Sequence, residues 1–180
     1  MAKSDRRTID KVFILLGVAA IVFLITVGCI AWYGYSFATG EVRSQLSAQK
    51  VYFPPKGSPA LDPKEFPDLQ QYAGQLVDNG PKAKAYADGF IGRHLQSIAG
   101  GKTYSEVSTE AMANPTNATL QQEKATLFQG ETLRGLLLGD GYAYWTFGMI
   151  ALCASFAAFL GAGVMAILVW LGLMHLIKLR

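Results

Sequence analysis

Two stretches of this 180-residue chain, Val12 to Tyr35 and Gly141 to Ile177, contain no charged residue. Each exceeds the roughly 20 apolar residues that cross ~30 Å of hydrocarbon, and the second has length to spare for tilt or a start outside the bilayer. Neither shows the polar face that a core helix of a small soluble domain would carry. The whole chain is 51% hydrophobic and only 16% charged, too apolar for an ordinary soluble domain of this size. The expected fold class is all-α: a two-helix transmembrane hairpin with a small α-helical extracytoplasmic domain inserted between the spans.

The flanks set the expected orientation. Lys3, Arg6, Arg7 and Lys11 precede the first span, and Lys178 and Arg180 follow the second. Short basic flanks stay cytoplasmic, so both termini are expected inside. The expected divisions are a cytoplasmic tail 1–11, transmembrane helix 12–35, extracytoplasmic helical domain 36–141, transmembrane helix 142–177 and a cytoplasmic end 178–180. Trp32, Tyr33 and Tyr35 close the first span, and Tyr142, Tyr144 and Trp145 open the second. These six are expected as interface anchors at one membrane surface. The intervening Ala38–Asp140 holds ten Lys/Arg and eleven Asp/Glu, so the formal charge of +3 comes from the tails. That distribution suits anionic lipid headgroups of the bilayer and excludes nucleic acid as a partner, which needs a basic face.

Two export signals are imitated near the N-terminus. Ile25–Cys29 loosely fits a lipoprotein cleavage site, but an apolar continuation follows Cys29. Arg6-Arg7 faintly echoes a twin-arginine signal, and Ser36-Phe37-Ala38 could serve as a small-residue cut site. The apolar run is longer than a cleaved signal requires, so an uncleaved first span is expected. Both cysteines, Cys29 and Cys153, lie in the spans, which leaves the loop no disulfide staple and no zinc or haem motif. Such a loop must fold on its own core or on a partner.

Within the loop, Glu41–Val51 is helix-compatible and reads as an extension of the first span. Five of the seven prolines fall in Pro54–Pro67, so 53–67 is expected as an extended strap, either laid on an apolar surface through Tyr52, Phe53, Leu61 and Phe66 or solvated. Leu69, Tyr72, Leu76 and Val77 recur at helical spacing and predict a short helix. A second helix is predicted from Pro81 to about Ala99, with Tyr86, Phe90, Ile91, Leu95 and Ile98 as one stripe and Gly100-Gly101 as its stop. Thr103 and Glu106 form a capping-box pattern. After an Asn114-Pro115 turn, Thr116 or Asn117 caps a helix through Gln121–Leu138.

Two segments of the chain resemble a known family. "DNGPKAKAYADGFIGRHLQSIAGGKTYSEVS" (78–108) and "LFQGETLRGLLLGDGYAYWTFGMIAL" (127–152) are similar to segments of actinobacterial two-span membrane proteins of unknown function. The resemblance covers most of the chain and implies its topology. Members often carry the label "aromatic ring-opening dioxygenase". The chain departs from the family at Gly139-Asp140, where local unwinding is expected.

Ring-opening dioxygenases commonly hold iron with two histidines and a carboxylate. Here His94 lies in the loop and His175 at the inner end of the second span, separated in the expected topology by roughly 30 Å of hydrocarbon. They cannot share a metal within one chain, so no metal, no cofactor and no catalytic residue is expected. His94 is expected on a packed face with a hydrogen-bond partner, and His175 as a solvated or snorkelling side chain. Glu131 and Arg134, spaced i, i+3, are expected as a membrane-boundary pair anchoring the outer domain to the second span, with partner contact as the alternative. Ala154, Ala158, Ala162 and Ala166 recur every fourth residue and are expected as a helix-packing ridge, against Gly17, Ala20, Gly28 and Ala31 or against another protein. Neither span carries an ionisable residue in its middle, which argues against an ion or proton path.

The expected function is therefore non-enzymatic: an accessory or assembly subunit of an actinobacterial cell-envelope complex, with a respiratory complex as one host, bound to a membrane-protein partner or to itself. The alternatives are an extracytoplasmic sensor or enzyme using His94, Tyr104 and Glu106, and a self-assembling membrane scaffold.

Overall fold

A computed structural model describes residues 3–178, with helices α1 (Lys3–Gln49), α2 (Gly80–Lys84), α3 (Gly92–Ile98), α4 (Tyr104–Ala113), α5 (Ala118–Leu136) and α6 (Tyr144–Lys178). Arg180 and the side chains of Lys3 and Arg6 lie outside the described residues. Two π-helical segments, Ala85–Ile91 and Leu137–Ala143, join α2 to α3 and α5 to α6. The chain is all-helical among the described residues, with no strand and one isolated backbone bridge, Tyr52 to Leu76. Two helical runs, Arg7–Gln49 and Ala118–Lys178, are long and apolar enough to cross a membrane. The chain divides into two compact units: 1–37 with 148–180, and 38–147.

In the first unit, α1 and α6 pack antiparallel. The inward residues of α6 are Gly148, Ser155, Ala158 and Ala162, continued by the half-buried Met165, Val169 and Gly172. These steps, one of seven residues and then alternately three and four, are the period of a left-handed coiled-coil seam. On α1 the matching seam is Ile14, Gly17, Ile21, Leu24, Gly28 and Ala31. The glycines admit bulky partners: a Cβ on Gly17 would strike Val169, and one on Gly28 would lie 2.7 Å from the Phe159 ring. Ser155, fully buried, donates its hydroxyl to the Gly28 carbonyl at 2.9 Å. Of the expected alanine ridge, Ala158 and Ala162 are buried in this seam, and Ala154 and Ala166 are exposed. Residues spaced four apart drift about 40° per step around a helix of 3.6 residues per turn, so such a row leaves the seam after two members. Of the expected partners, Gly17 and Gly28 are buried, and Ala20 and Ala31 half-buried.

The second unit folds around two clusters. Val42, Leu46, Phe53, Leu61, Phe66, Leu69, Val77, Ala83, Ala87 and Leu137 form the larger. Leu95, Ala99, Val107 and Leu127 form the smaller, between α3, α4 and α5. The proline segment lies on the larger cluster through Phe53, Leu61 and Phe66, while Tyr52 stays exposed. It is not extended throughout: Ser58 caps a 3-10 turn at Pro59–Leu61, and the Phe66 amide closes on the Asp62 carbonyl. Proline supplies a fixed φ for such turns as readily as for an extended run. The short helix expected over Leu69–Val77 is also corrected. A 3-10 helix ends at Tyr72, Gly74 takes φ +71°, and the Phe53 and Val77 amides pair with the Gln75 and Val51 carbonyls. A left-handed residue breaks a helix, and burying Phe53 with Val77 outweighs the helical spacing.

The helix predicted from Pro81 forms, capped by Asn79 and stopped by Gly100 and Gly101 at positive φ. The π segment inside it turns Ile98 outward, and Ala99 takes the interior place instead. An extra residue in a turn rotates every later position around the axis, which period counting at 3.6 cannot register. The Thr103–Glu106 capping box and the Asn117 cap are present as the sequence indicates. At Gly139-Asp140 the backbone widens to a π segment and stays helical, so no unwinding occurs. The second unit extends to Phe147, beyond the expected boundary at 141. Trp145 accounts for the extension, because it packs on the larger cluster and directly against Gly80.

Candidate functional site

Arg134 joins α5 to the first π segment. Its Nε donates to the Ala87 carbonyl at 3.1 Å, an oxygen that already accepts the Gly92 amide. Its two terminal nitrogens reach Glu131 at 2.9 Å and Asp88 at 3.2 Å. Asp88 also accepts from Lys84 at 2.9 Å, and Lys84 lies over the Tyr142 ring at 4.9 Å. The expected i, i+3 pair is thus one edge of a four-residue network. Lys84, then Arg134, hold the Asp88 carboxyl below the usual carboxylate range, and Asp88 raises the Lys84 ammonium. Gly92 leaves the guanidinium its place, since a Cβ there would stand 3.4 Å from Cζ.

Beside this network, α3, α4 and α5 enclose an open groove of about 770 Å³ with Leu95 and Leu127 at its base. Tyr104, Thr103 and Ser105 line it with hydroxyls, and Arg93, Lys102 and Arg134 with positive charge. Each cation already has an acidic partner: Arg93 is bidentate to Asp68 at 2.8 and 2.9 Å, and Lys102 meets Glu110 at 2.7 Å. The Arg93 hydrogen bonds hold Asp68 below its ordinary value. The groove is therefore a neutralised, amphipathic surface.

The three residues expected as a ligand site do not share this groove. Tyr104 lines it; His94 and Glu106 are not among its lining residues. His94 stacks on Phe66 at 5.4 Å and its Nδ1 lies 2.9 Å from the Phe90 carbonyl. Glu106 is held by the Thr103 amide at 2.7 Å and by its hydroxyl, which lowers the carboxyl's pKa. His94 belongs to the second unit and His175 to the first. Among the described residues, no three His, Cys, Asp or Glu side chains stand where they could hold a metal ion.

The six aromatic anchors divide. Trp32, Tyr33 and Tyr144 are exposed. Tyr35 is half-buried, Tyr142 carries Lys84, and Trp145 serves the core of the second unit. A further feature is absent from the sequence-based expectations. Gly135 and Gly139, four apart in "GLLLG", are exposed and meet nothing within 4 Å of a built Cβ. Phe128 and Leu136 are exposed beside them at 57% and 55%. The sequence carries the signal as a G-x-x-x-G spacing, but it lies outside the two uncharged stretches, where small-residue ridges are ordinarily sought.

Comparison with protein-family models, curated proteins and solved structures finds no match to this chain. Fold and site together define a class: an all-helical chain with two helices of membrane-spanning length and composition.

Proposed function

We propose that the chain is a two-span membrane protein, termini in the cytoplasm and 38–147 outside, that acts without catalysis as an accessory or assembly subunit of a cell-envelope membrane complex. A respiratory complex is one such host. The observation that carries the subunit reading is the outward face of α5 and of the π segment that follows it. Gly130 and Gly141 are required by this fold, because Leu95 and Ala83 occupy the space their Cβ atoms would take. Gly135 and Gly139 have no such neighbour, yet each costs a helix about 1 kcal/mol relative to alanine. Small residues four apart let a second helix approach closely, and Phe128 and Leu136 supply apolar contact beside them. The membrane reading is supported by the outward residues of both apolar helices. Phe13, Leu15, Phe23 and Leu160 are all more than two-thirds exposed, an arrangement that water penalises and lipid does not.

The test is co-purification from native membranes at native expression, with wild type and Gly139→Leu compared. Wild type should bring down a membrane-protein partner and Gly139→Leu should lose it while keeping its own fold. Recovery of the same monomer from both would refute the subunit reading. A single mass several times that of the chain on a native gel would favour the scaffold instead. The groove beside Tyr104 favours a second reading, a sensor of amphipathic small molecules; saturable binding that Leu127→Phe abolishes would support it.

A further inference from the structure

The first unit contains a crevice between the spans. It measures about 260 Å³ and is walled by Phe13, Ile14, Leu168 and Val169, with Gly17 and Gly172 in its floor. Asp10 and His175 stand at its mouth. The carboxylate oxygen Oδ2 of Asp10 is buried and, among the described residues, has no hydrogen-bond partner. One turn earlier on α1, Arg7 Nε is in the same condition. These are two opposite charges one turn apart on α1, each with a buried polar atom that has no partner among the described residues. Burial without a partner is unfavourable for both.

An apolar slot with the Asp10 carboxylate and His175 at its mouth, and the Arg7 guanidinium one turn back along α1, is complementary to one kind of molecule, a phospholipid with a zwitterionic amine headgroup. We propose that this crevice binds an inner-leaflet phosphatidylethanolamine. The Arg7 guanidinium, with His175 on the facing helix, takes the phosphate, the Asp10 carboxylate accepts from the primary ammonium, and an acyl chain fills the space over Gly17 and Gly172. The headgroup follows from the donors. A choline headgroup has no N–H to give Asp10, and a glycerol headgroup brings no cation. The inference rests on the membrane reading above, and on no part of the partner reading.

The full chain is reconstituted in nanodiscs containing equal phosphatidylethanolamine, phosphatidylcholine and phosphatidylglycerol, and the lipids retained on gentle detergent release are counted by native mass spectrometry. Wild type should retain one phosphatidylethanolamine in preference to the other two. Asp10→Asn should lower that preference by about tenfold, the scale of one charge-assisted hydrogen bond, while circular dichroism stays unchanged. Arg7→Gln should lower retention of every phospholipid alike, and Leu168→Ala should weaken retention without changing headgroup choice. Equal retention of all three lipids by wild type, or a preference that survives Asp10→Asn, would overturn the proposal with the membrane reading intact. Release of the protein from cell membranes by alkaline carbonate would instead overturn the membrane reading, and this inference with it.

Discussion

Replacing Arg134 by methionine removes the guanidinium but keeps an unbranched apolar stem in place. The loss has three parts. The Nε bond to the Ala87 carbonyl is part-buried and charge-assisted, worth about 1.5–3 kcal/mol. The contacts to Asp88 and Glu131 count for less, because those carboxylates are 40% and 44% exposed. After solvent screening each contributes about 0–1 kcal/mol. The expected cost is therefore about 2–4 kcal/mol, concentrated where α5 meets the first π segment. Glu131→Gln is the control: it leaves the Ala87 and Asp88 contacts standing and should cost about 0–1 kcal/mol. Hydrogen exchange on the detergent-solubilised full chain reads this locally, since amides over 85–98 exchange through opening of that segment. A loss of about 3 kcal/mol accelerates them by roughly a hundredfold. If Arg134→Met left those amides as protected as wild type, or Glu131→Gln opened them equally, the carbonyl contact would not be what holds the elements together.

Three further outcomes are expected of the same structure. In α5, Gly130→Val should destabilise the second unit by about 1–3 kcal/mol because Leu95 Cδ1 lies 2.8 Å from the new Cβ; Gly135→Ala, with open space, should stabilise the isolated chain by about 0.5–1 kcal/mol, both read as thermal midpoints. Asp68, Asp88 and Glu106 all have depressed pKa values, so their stabilisation is fully present above the unfolded carboxylate range and is lost as pH falls through their lower folded values. The melting temperature of the second unit should thus hold from pH 7 to about 5 and drop below about pH 4, and Asp68→Asn should flatten that drop. Ser155→Ala should weaken the hairpin by about 0.6 kcal/mol, the average for hydrogen bonds between membrane helices, measured by resistance to denaturing detergent.

Features governed by short-range chemistry are legible from the residues alone. Thr103 with Glu106, Asn117, and Gly100-Gly101 act through neighbours a few positions away, and each is found as a cap or stop. The apolar runs are legible because a long uncharged stretch has few ways to fold. The region 53–77 is not. Its backbone is decided by Phe53 and Val77 joining a cluster that also draws on Val42, Leu46 and Leu137, residues outside that region. The site is half legible: Glu131 and Arg134 are neighbours on a helix, but Asp88 and Ala87 come from 46 and 47 residues away.

The π segments explain why the rest is hidden. Each contains a glycine pressed on another element: Gly89 lies against Leu69, and Gly141 lies 2.9 Å, through its missing Cβ, from Ala83. A wider turn lets the backbone come forward at such a point, and it shifts the phase of every later position in the helix. In the first segment the widened turn also leaves the Ala87 carbonyl where Arg134 can reach it beside the Gly92 amide. Local propensity does not favour this backbone, so nothing local could announce it. It persists because a glycine contact and an arginine from another helix both require it, and removing Arg134 should therefore cost more than an ion pair at the surface can.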